Sequence, residues 1–288
     1  MRDNLHVNDC AFRADNTAQK DTGPQFKQKR EMRYRLSPVV NGTRVYGKIM
    51  LPAHASPAST VPGAVLCHGF GGNHDVMEAS ASLLVDKGIA AIIFDMHGHG
   101  TSEGLFSGNM DQQVIDAWRL LKSLPEVDSS RIALIGHSLG ALASVMAAGK
   151  VKPKALVALS CPYEVQQRLL NNPCFRAFPW YRWAVTLIGR LAVRFRKLKV
   201  KVDWEKFLQF WSQVKLSPAL AELGGCNKLF VFSDSDVLVP YREFSRFYEN
   251  APGPKQKMVV RGGVHTTPIR AEILRFEWIG WVISALSA

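Results

Sequence analysis

The chain has 288 residues, of which 47% are hydrophobic, enough for one large domain with a sizeable buried core. The 36 lysine and arginine residues against 24 aspartate and glutamate residues give a formal charge of +12. There is no apolar run of about eighteen residues, and residues 1–30 lack the apolar segment of a secretory signal. We therefore expect a soluble, cytoplasmic protein whose polar leader, residues 1–30, has a composition compatible with disorder.

The chain opens with two extended runs on either side of Asn41-Gly42. This dipeptide favours a tight hairpin because both residues tolerate positive φ, so the sequence predicts an antiparallel opening. Six short apolar runs follow, each typical of a strand: AVLCH (64–68), IAAIIFD (89–95), RIALIG (131–136), ALVALS (155–160), KLFVFSD (228–234) and KMVVRG (257–262).

Stretches with the length and period of helices separate most of these runs, among them residues 76–87, 111–124 and 139–149. The chain closes with an amphipathic helix over residues 271–286. Apolar strands without polar alternation belong to a parallel sheet that is covered on both faces. The predicted fold class is therefore α/β, with a mostly parallel, doubly wound sheet and an antiparallel N-terminal hairpin.

The five cysteines are Cys10, Cys67, Cys161, Cys174 and Cys226. Their number is odd, their spacing is irregular, and no Cys-x-x-Cys pair of the metal-binding or redox kind occurs. This pattern favours free, buried thiols.

A candidate nucleophile lies at Gly136-His137-Ser138-Leu139-Gly140, between the run RIALI and a small-residue helix pattern. A Gly-x-Ser-x-Gly sequence in this context predicts a sharp turn that exposes the serine hydroxyl, with glycines where side chains would collide. The N-terminus of the helix would place backbone N–H groups, including that of Leu139, beside an oxyanion. The alternative is a Gly/Ser turn that only ends the strand.

A glycine-rich loop, His68-Gly69-Phe70-Gly71-Gly72, ends the first strand of the parallel series. In this place the Phe70 N–H would be a second oxyanion donor, next to that of Leu139. A nucleotide-binding loop is excluded because neither Gly-Lys-Ser/Thr nor Gly-x-Gly-x-x-Gly is present. A loop that only makes a tight turn is the remaining alternative.

A serine needs a base, and the base needs an acid that orients it. His265 follows the last strand-like run in a glycine-containing loop, where a base can reach back over the sheet, whereas an ordinary loop histidine would only be solvated. For the acid, the end of KLFVFSDSDVLVP offers Asp236, which we prefer because Asp-Val-Leu-Val-Pro turns the chain out of the strand, and Asp234 in reserve.

With these residues the chain resembles the α/β-hydrolase superfamily of serine hydrolases over about residues 34–286. Within it, the sequence is most similar to feruloyl or cinnamoyl carboxylesterases and to monoacylglycerol-lipase-like and serine-aminopeptidase-like relatives. The resemblance implies a catalytic triad of Ser138, Asp236 and His265. One departure is Ala141 after the nucleophile motif, where many relatives have a second glycine.

The loop DMHGHGTSEG contains Asp95, His97, His99 and Glu103, which could be mistaken for metal ligands. Their spacing matches no zinc pattern, so we expect no metal and no other cofactor. By resemblance, the loop is expected to support the pocket.

Residues 162–217 carry eleven Lys/Arg against three Asp/Glu, hence +8 of the formal charge. The segment is also rich in aromatic residues: Trp180, Tyr181, Trp183, Trp204, Trp211 and five phenylalanines. By resemblance, an insertion at this place is a helical lid, and WAVTLIGRLAVRF and DWEKFLQFWSQV have helical length and apolar spacing. The domains are therefore expected to be a leader (1–30), a core (31–161 and 218–288) and a lid (162–217).

An aromatic inner face of the lid would bind an apolar acyl or aryl group, and its basic face would make weak contact with anionic surfaces or acidic substrates. The alternative is that the aromatic residues pack on the core and the charges are a solvated face. Nucleic acid is not an expected partner, because the charge lies on the lid and no recognition module is present. No feature of the sequence indicates an oligomeric state.

The predicted activity is hydrolysis of a small-molecule carboxylic ester through an acyl-enzyme. The same residues would serve for amide or peptide, thioester or lactone bonds. A catalytically silent hydrolase fold that acts as a binding protein is the alternative from another class.

Overall fold

The computed structural model describes residues 30–36, 44–162, 187, 190, 191, 193, 194 and 198–288. The strands are β1 (Arg30–Leu36), β2 (Val45–Leu51), β3 (Val61–Cys67), β4 (Ala90–Phe94), β5 (Val127–His137), β6 (Ala155–Leu159), β7 (Asn227–Ser233) and β8 (Lys255–Val260). The helices assigned bounds are α1 (Asp75–Asp86), α2 (Met110–Lys122), α3 (Leu139–Val151), α4 (Trp204–Gln213), α5 (Leu216–Ala221), α6 (Tyr241–Asn250), α7 (Thr267–Arg270) and α8 (Glu272–Ser287).

The strands in this part of the chain form one eight-stranded sheet of order β1-β2-β4-β3-β5-β6-β7-β8. The β1–β2 and β2–β4 pairs are antiparallel and the other pairs are parallel. The predicted fold class is confirmed, including the antiparallel opening, in which Leu36 pairs with Val45. The predicted turn at Asn41-Gly42 lies outside the described residues.

The central strands are buried on both faces because helices cover each side. In β3, Ala64 and Leu66 point to the side covered by α1 and α8, and Val65 and Cys67 point to the side covered by α2, α3, α5 and α6. This explains why the predicted strands read as continuous apolar runs rather than as alternating ones.

Two features near the C-terminus differ from the prediction. The expected single helix over 271–286 is preceded by the short α7, because Ala271 has an extended backbone (ψ 119°) and α8 begins after it. Helix α6 was not predicted, and it packs Phe244 and Phe247 into the core. No helix among the described residues is both long enough and apolar enough to cross a membrane.

The order β5-β6-β7-β8 sets the location of the site. These four strands are parallel neighbours, so their carboxyl ends lie side by side along one edge of the sheet. Ser138, Ser160, Asp236 and His265 each lie shortly after one of these ends. The carboxyl edge is where open α/β sheets bind their ligands.

Candidate active site

Ser138 lies in a strained turn between β5 and α3. Its backbone has φ 54° and ψ −118°, an unusual conformation for a residue with a side chain. A Cβ atom on Gly136 would collide with the carbonyl group of Gly140, and one on Gly140 with the carbonyl oxygens of Cys67 and His68. The two glycines therefore allow the turn that was predicted for this motif.

Three side chains form a continuous hydrogen-bonded series. The hydroxyl of Ser138 lies 2.8 Å from Nε2 of His265, and Nδ1 of the same ring lies 2.7 Å from Oδ2 of Asp236. Because a carboxylate only accepts, the hydrogen of the neutral imidazole is on Nδ1, and Nε2 is free to accept the proton of the serine hydroxyl. The structure thus brings together the three residues that were predicted from the sequence to form the site.

Asp236 is held as an anion by its surroundings. It is buried, and its Oδ1 accepts hydrogen bonds from the N–H groups of Leu238 (2.8 Å) and Val239 (3.0 Å). Burial acts to raise the pKa of this carboxyl, but the hydrogen bonds from His265 and the backbone outweigh it and lower the pKa below its ordinary value.

Asp234, the second candidate for the acid, hydrogen-bonds other groups than the histidine ring. Its Oδ1 accepts hydrogen bonds from the N–H of Gly262 (2.7 Å) and from the hydroxyl of Ser235 (3.1 Å). This carboxylate therefore links the ends of β7 and β8, whereas Asp236 contacts the histidine ring.

The glycine-rich loop after β3 lies against the nucleophile. A Cβ atom on Gly69 would lie 3.2 Å from Cβ of Ser138. The backbone of this loop therefore passes close to the serine just before Phe70. Neither the N–H of Phe70 nor that of Leu139 donates a hydrogen bond to a described residue. Within the described residues, both N–H groups are therefore without a hydrogen-bond acceptor.

His68 fixes this loop. Its buried ring accepts a hydrogen bond at Nε2 from the N–H of Met96 (3.1 Å) and donates one from Nδ1 to the carbonyl of Gly69 (2.8 Å). Burial lowers the pKa of His68, which agrees with a neutral ring in a single tautomer. The side chain therefore ties the loop after β3 to the loop after β4.

The loop after β4 is organised around buried Asp95. Its carboxylate accepts hydrogen bonds from the N–H of His74 (2.6 Å), Nδ1 of His74 (2.8 Å) and the N–H of Thr101 (2.8 Å). Burial would raise the pKa of Asp95, but these hydrogen bonds lower it below its ordinary value. Asp95 thereby anchors the far end of the glycine-rich loop, and the sequence had not singled out His74 for this role.

The two histidines of this loop face the protein interior. The buried ring of His99 packs against the rings of Phe70 (5.7 Å) and Phe106 (5.1 Å), and burial lowers its pKa to about 3. His97 receives no such aromatic contact in the described structure, and its N–H donates to Gln113 Oε1 (2.7 Å). Within the described ranges, no three His, Cys, Asp or Glu side chains converge in a way that could hold a metal ion.

The described part of residues 162–217 contacts both loops. Lys201 donates its N–H to the carbonyl of Gly98 and accepts one from Phe106, each at 2.8 Å. In α4, Phe207 stacks on Phe70 with 6.1 Å between ring centroids, and Trp211 is buried in the core. The helix predicted over DWEKFLQFWSQV is present as α4, whereas Trp180, Tyr181 and Trp183 lie outside the described residues.

Three of the predicted free thiols, Cys67, Cys161 and Cys226, are buried and unpaired, and burial raises their pKa. Cys10 and Cys174 lie outside the described residues. None of the three is part of the hydrogen-bonded series.

Comparison with known proteins identifies a matching family, a relative that is similar in sequence, and solved structures with a similar fold. Residues 62–216 match the family described as serine aminopeptidase, S33. The chain is also similar to a thiohydrolase, apmlB of Arthrinium phaeospermum, with 40% identity over 83 residues. This match covers 27% of this chain, and the chain spans only 27% of the length of that relative.

Solved structures share the architecture over most of the chain. Est1E from Butyrivibrio proteoclasticus, solved with ferulic acid bound, has a TM-score of 0.67 at 18% identity, covering 88% of this chain and 100% of the other. An esterase of Pyrococcus furiosus has a TM-score of 0.65 at 19% identity, covering 93% and 96%. At such identities the likeness is one of fold, and it confirms the predicted α/β-hydrolase fold.

Proposed function

Because this chain belongs to the family of serine hydrolases described as serine aminopeptidase, S33, we propose that it cleaves carboxylic esters through an acyl-enzyme formed on Ser138. The observation that carries this proposal is the series from Ser138 through His265 to Asp236, with contacts of 2.8 and 2.7 Å. It supplies a nucleophile, a base and an orienting acid in hydrogen-bond contact.

In the acylation step, His265 Nε2 takes the proton of Ser138 as Oγ attacks the ester carbonyl carbon. The carbonyl π bond opens to an oxyanion, which the N–H groups of Phe70 and Leu139 stabilise. When the oxyanion collapses, the bond to the alcohol oxygen breaks, and the alcohol leaves with the proton from His265. The Asp236 carboxylate keeps Nδ1 protonated and stabilises the positive charge on the ring.

In the deacylation step, water takes the place of the alcohol. His265 accepts a proton from water, the hydroxide oxygen attacks the acyl carbon, and the same two N–H groups receive the oxyanion. Release of the carboxylic acid returns the proton to Ser138. The cycle balances with water as the only co-substrate.

We assign residues 162–217 to a lid that forms one wall of the acyl site. Support comes from α4, in which Phe207 packs on Phe70 of the glycine-rich loop, and from Leu198, which lies against Gly71 of the same loop. Because this wall is aromatic and adjoins the oxyanion donors, an apolar acyl or aryl group is the substrate moiety that fits it.

The basic side of the lid is the part that would meet anionic surfaces. Arg190, Arg194, Lys199 and Lys201 are exposed. Exposed basic residues favour weak, salt-sensitive contact with anionic lipid. Cosedimentation with phosphatidylglycerol vesicles at low and high salt tests this contact, with phosphatidylcholine vesicles as the control.

Thioesters are the second candidate substrate class. The observation that favours them is the similarity of 83 residues to the thiohydrolase of Arthrinium phaeospermum. The geometry at Ser138 serves both bond types, because each passes through a tetrahedral oxyanion. The same geometry would also serve amide and lactone bonds, because their cleavage passes through a tetrahedral oxyanion too.

The experiment that tests the proposal compares matched substrates. The native protein and Ser138→Ala are assayed with 4-nitrophenyl acetate, octanoate and palmitate, and with N-acetylcysteamine thioesters of the same acids. We expect oxygen ester hydrolysis that disappears in Ser138→Ala while the thermal unfolding midpoint is retained. Preferential cleavage of thioesters would favour the second candidate, and equal turnover by both proteins would reject Ser138 as the nucleophile.

A further inference from the structure

The backbone carbonyl of His265 accepts two hydrogen bonds from side chains. Nε2 of His137 lies 3.0 Å from this oxygen, and the hydroxyl of Ser160 lies 3.1 Å from it. Since a carbonyl oxygen only accepts, both side chains are donors, and the hydrogen of the His137 ring is on Nε2. The two donors lie 128 and 105 residues away from His265 along the chain.

We propose that His137 and Ser160 are positioning residues that fix the His265 main chain, so that its imidazole stays within hydrogen-bond distance of both Ser138 and Asp236. This inference rests on the proposed function, because it concerns the base of the same reaction. Neither side chain touches the reacting atoms, so each acts through His265.

The backbone of Ser160 supports this role. The residue follows β6, is fully buried and has φ 49°, a left-handed conformation that serine seldom adopts. Its N–H donates to the carbonyl of Val231 on the neighbouring strand at 2.9 Å, so the turn is fixed on both sides. Strained residues of this kind persist where the surrounding structure enforces them, commonly at functional sites.

The location of His137 supports the same role. The ring is 4% exposed and its centroid lies 5.0 Å from that of His265. Its other face adjoins the glycine-rich loop, where a Cβ atom on Gly69 would lie 3.1 Å from Nδ1. Burial lowers the pKa of His137 to about 4, so the ring is a neutral donor of one hydrogen across the working range of a serine hydrolase.

Other contacts hold the loop but not the histidine itself. Asp234 accepts a hydrogen bond from Gly262, and Ser235 donates its N–H to the carbonyl of Gly263 (3.1 Å). Among the described residues, the hydrogen bonds from side chains to the backbone of His265 come from His137 and Ser160. The ends of β5 and β6 therefore hold the backbone of His265, whereas Asp236, after β7, holds its ring.

The test separates the hydrogen bond from the volume of the side chain. His137→Gln keeps an N–H donor, and His137→Met has the same length without one. Ser160→Ala removes the second donor. Ser144→Ala is the matched control, because Ser144 is a buried serine on α3 whose hydroxyl has no hydrogen-bond partner in the described structure.

The readouts are kcat and KM for an ester substrate and the rate constant for labelling by a fluorophosphonate probe. We expect kcat and the labelling rate to fall roughly fivefold to tenfold in His137→Met and in Ser160→Ala, with KM nearly unchanged. His137→Gln should recover to within about threefold of the native rate. The double variant His137→Met/Ser160→Ala should lose more than either single variant, and because both donors share one acceptor the two losses should not simply multiply. Ser144→Ala should match the native protein.

Two results would overturn the inference. One is a labelling rate within about twofold of native in both His137→Met and Ser160→Ala, given that one hydrogen bond is expected to contribute more. The other is His137→Gln as slow as His137→Met, because volume rather than donation would then explain the loss. Ser160→Ala keeps the test valid if a His137 variant does not fold, and absence of labelling in the native protein would instead reject the proposed function.

Discussion

Asp236→Asn is the substitution that most directly perturbs the orientation of the base. The variant keeps an oxygen that accepts from the N–H groups of Leu238 and Val239, so the turn after β7 retains its hydrogen bonds. The amide NH₂ then faces His265 Nδ1, where the native carboxylate oxygen lies at 2.7 Å. An NH₂ group can only donate there, so Nδ1 must give up its hydrogen and the ring changes tautomer.

The changed tautomer carries its hydrogen on Nε2, the atom that lies 2.8 Å from the Ser138 hydroxyl. A protonated Nε2 cannot accept the serine proton, so kcat should fall by about 10⁴-fold, the loss known for this substitution in a serine protease triad. That fold-change corresponds to about 5 kcal/mol of transition-state stabilisation. Steady-state ester hydrolysis measures it, and the thermal unfolding midpoint reports whether the fold is retained.

Asp234→Asn is the matched control, because it makes the same chemical change two residues away. Asp234 Oδ1 contacts Gly262 and Ser235 rather than the histidine, so kcat should stay within about twofold of native, as for a surface substitution. The reasoning is refuted if Asp234→Asn abolishes turnover while Asp236→Asn leaves it intact.

Three further predictions concern stability and substrate range. Burial lowers the pKa of His137 to about 4, so the unfolded chain binds the proton first as the pH falls, and this ring should reduce the free energy of unfolding by roughly 1.4 kcal/mol per pH unit from about pH 6.5 to 4. In urea titrations His137→Gln should remove this contribution and leave those of His68 and His99, whose pKa values burial also lowers. Gly140→Ala should lower the free energy of unfolding by at least about 2 kcal/mol, because the new Cβ would collide with the backbone carbonyl oxygens of Cys67 and His68. Gly280→Ala on α8 is the control: its Cβ would meet no atom, so it should raise the free energy of unfolding by about 0.4–1 kcal/mol. Phe207→Ala should lower kcat/KM for octanoyl and aryl esters roughly tenfold and leave acetyl esters within about twofold, since it removes apolar wall area rather than reacting groups.

Each of these has a contradicting result. An unchanged pH slope in His137→Gln would show that this ring is not the group that titrates. Native-like unfolding of Gly140→Ala would show that the turn tolerates a side chain. An equal loss on acetyl and octanoyl esters in Phe207→Ala would place Phe207 outside the acyl wall.

Local patterns were sufficient to predict the nucleophile turn. The run RIALI, the two glycines and the small residues after Ser138 each report local geometry, so their positions agree with β5, the turn and α3. The six predicted strands lie within or overlap β3 to β8. Strands β3, β4, β6 and β7 are buried almost throughout and so leave a continuous apolar signal, whereas no residue of β8 is fully buried.

Features that depend on distant neighbours were not predictable in this way. Ser160 looks like the end of a strand, and its contact with His265 exists only because β6 and the loop after β8 meet in the sheet. The choice between Asp234 and Asp236 likewise depends on which carboxylate faces the ring. Helix α6 has only a short local signal, the i, i+3 spacing of Phe244 and Phe247 between β7 and β8.

The central claim is that Ser138 is an activated nucleophile, and intact-mass labelling with a fluorophosphonate probe tests it most directly. The account predicts one adduct on the native protein, mapped to Ser138 by peptide sequencing, and none on Ser138→Ala of equal thermal stability. An adduct that persists on Ser138→Ala, or the absence of any adduct on folded native protein, would contradict the claim.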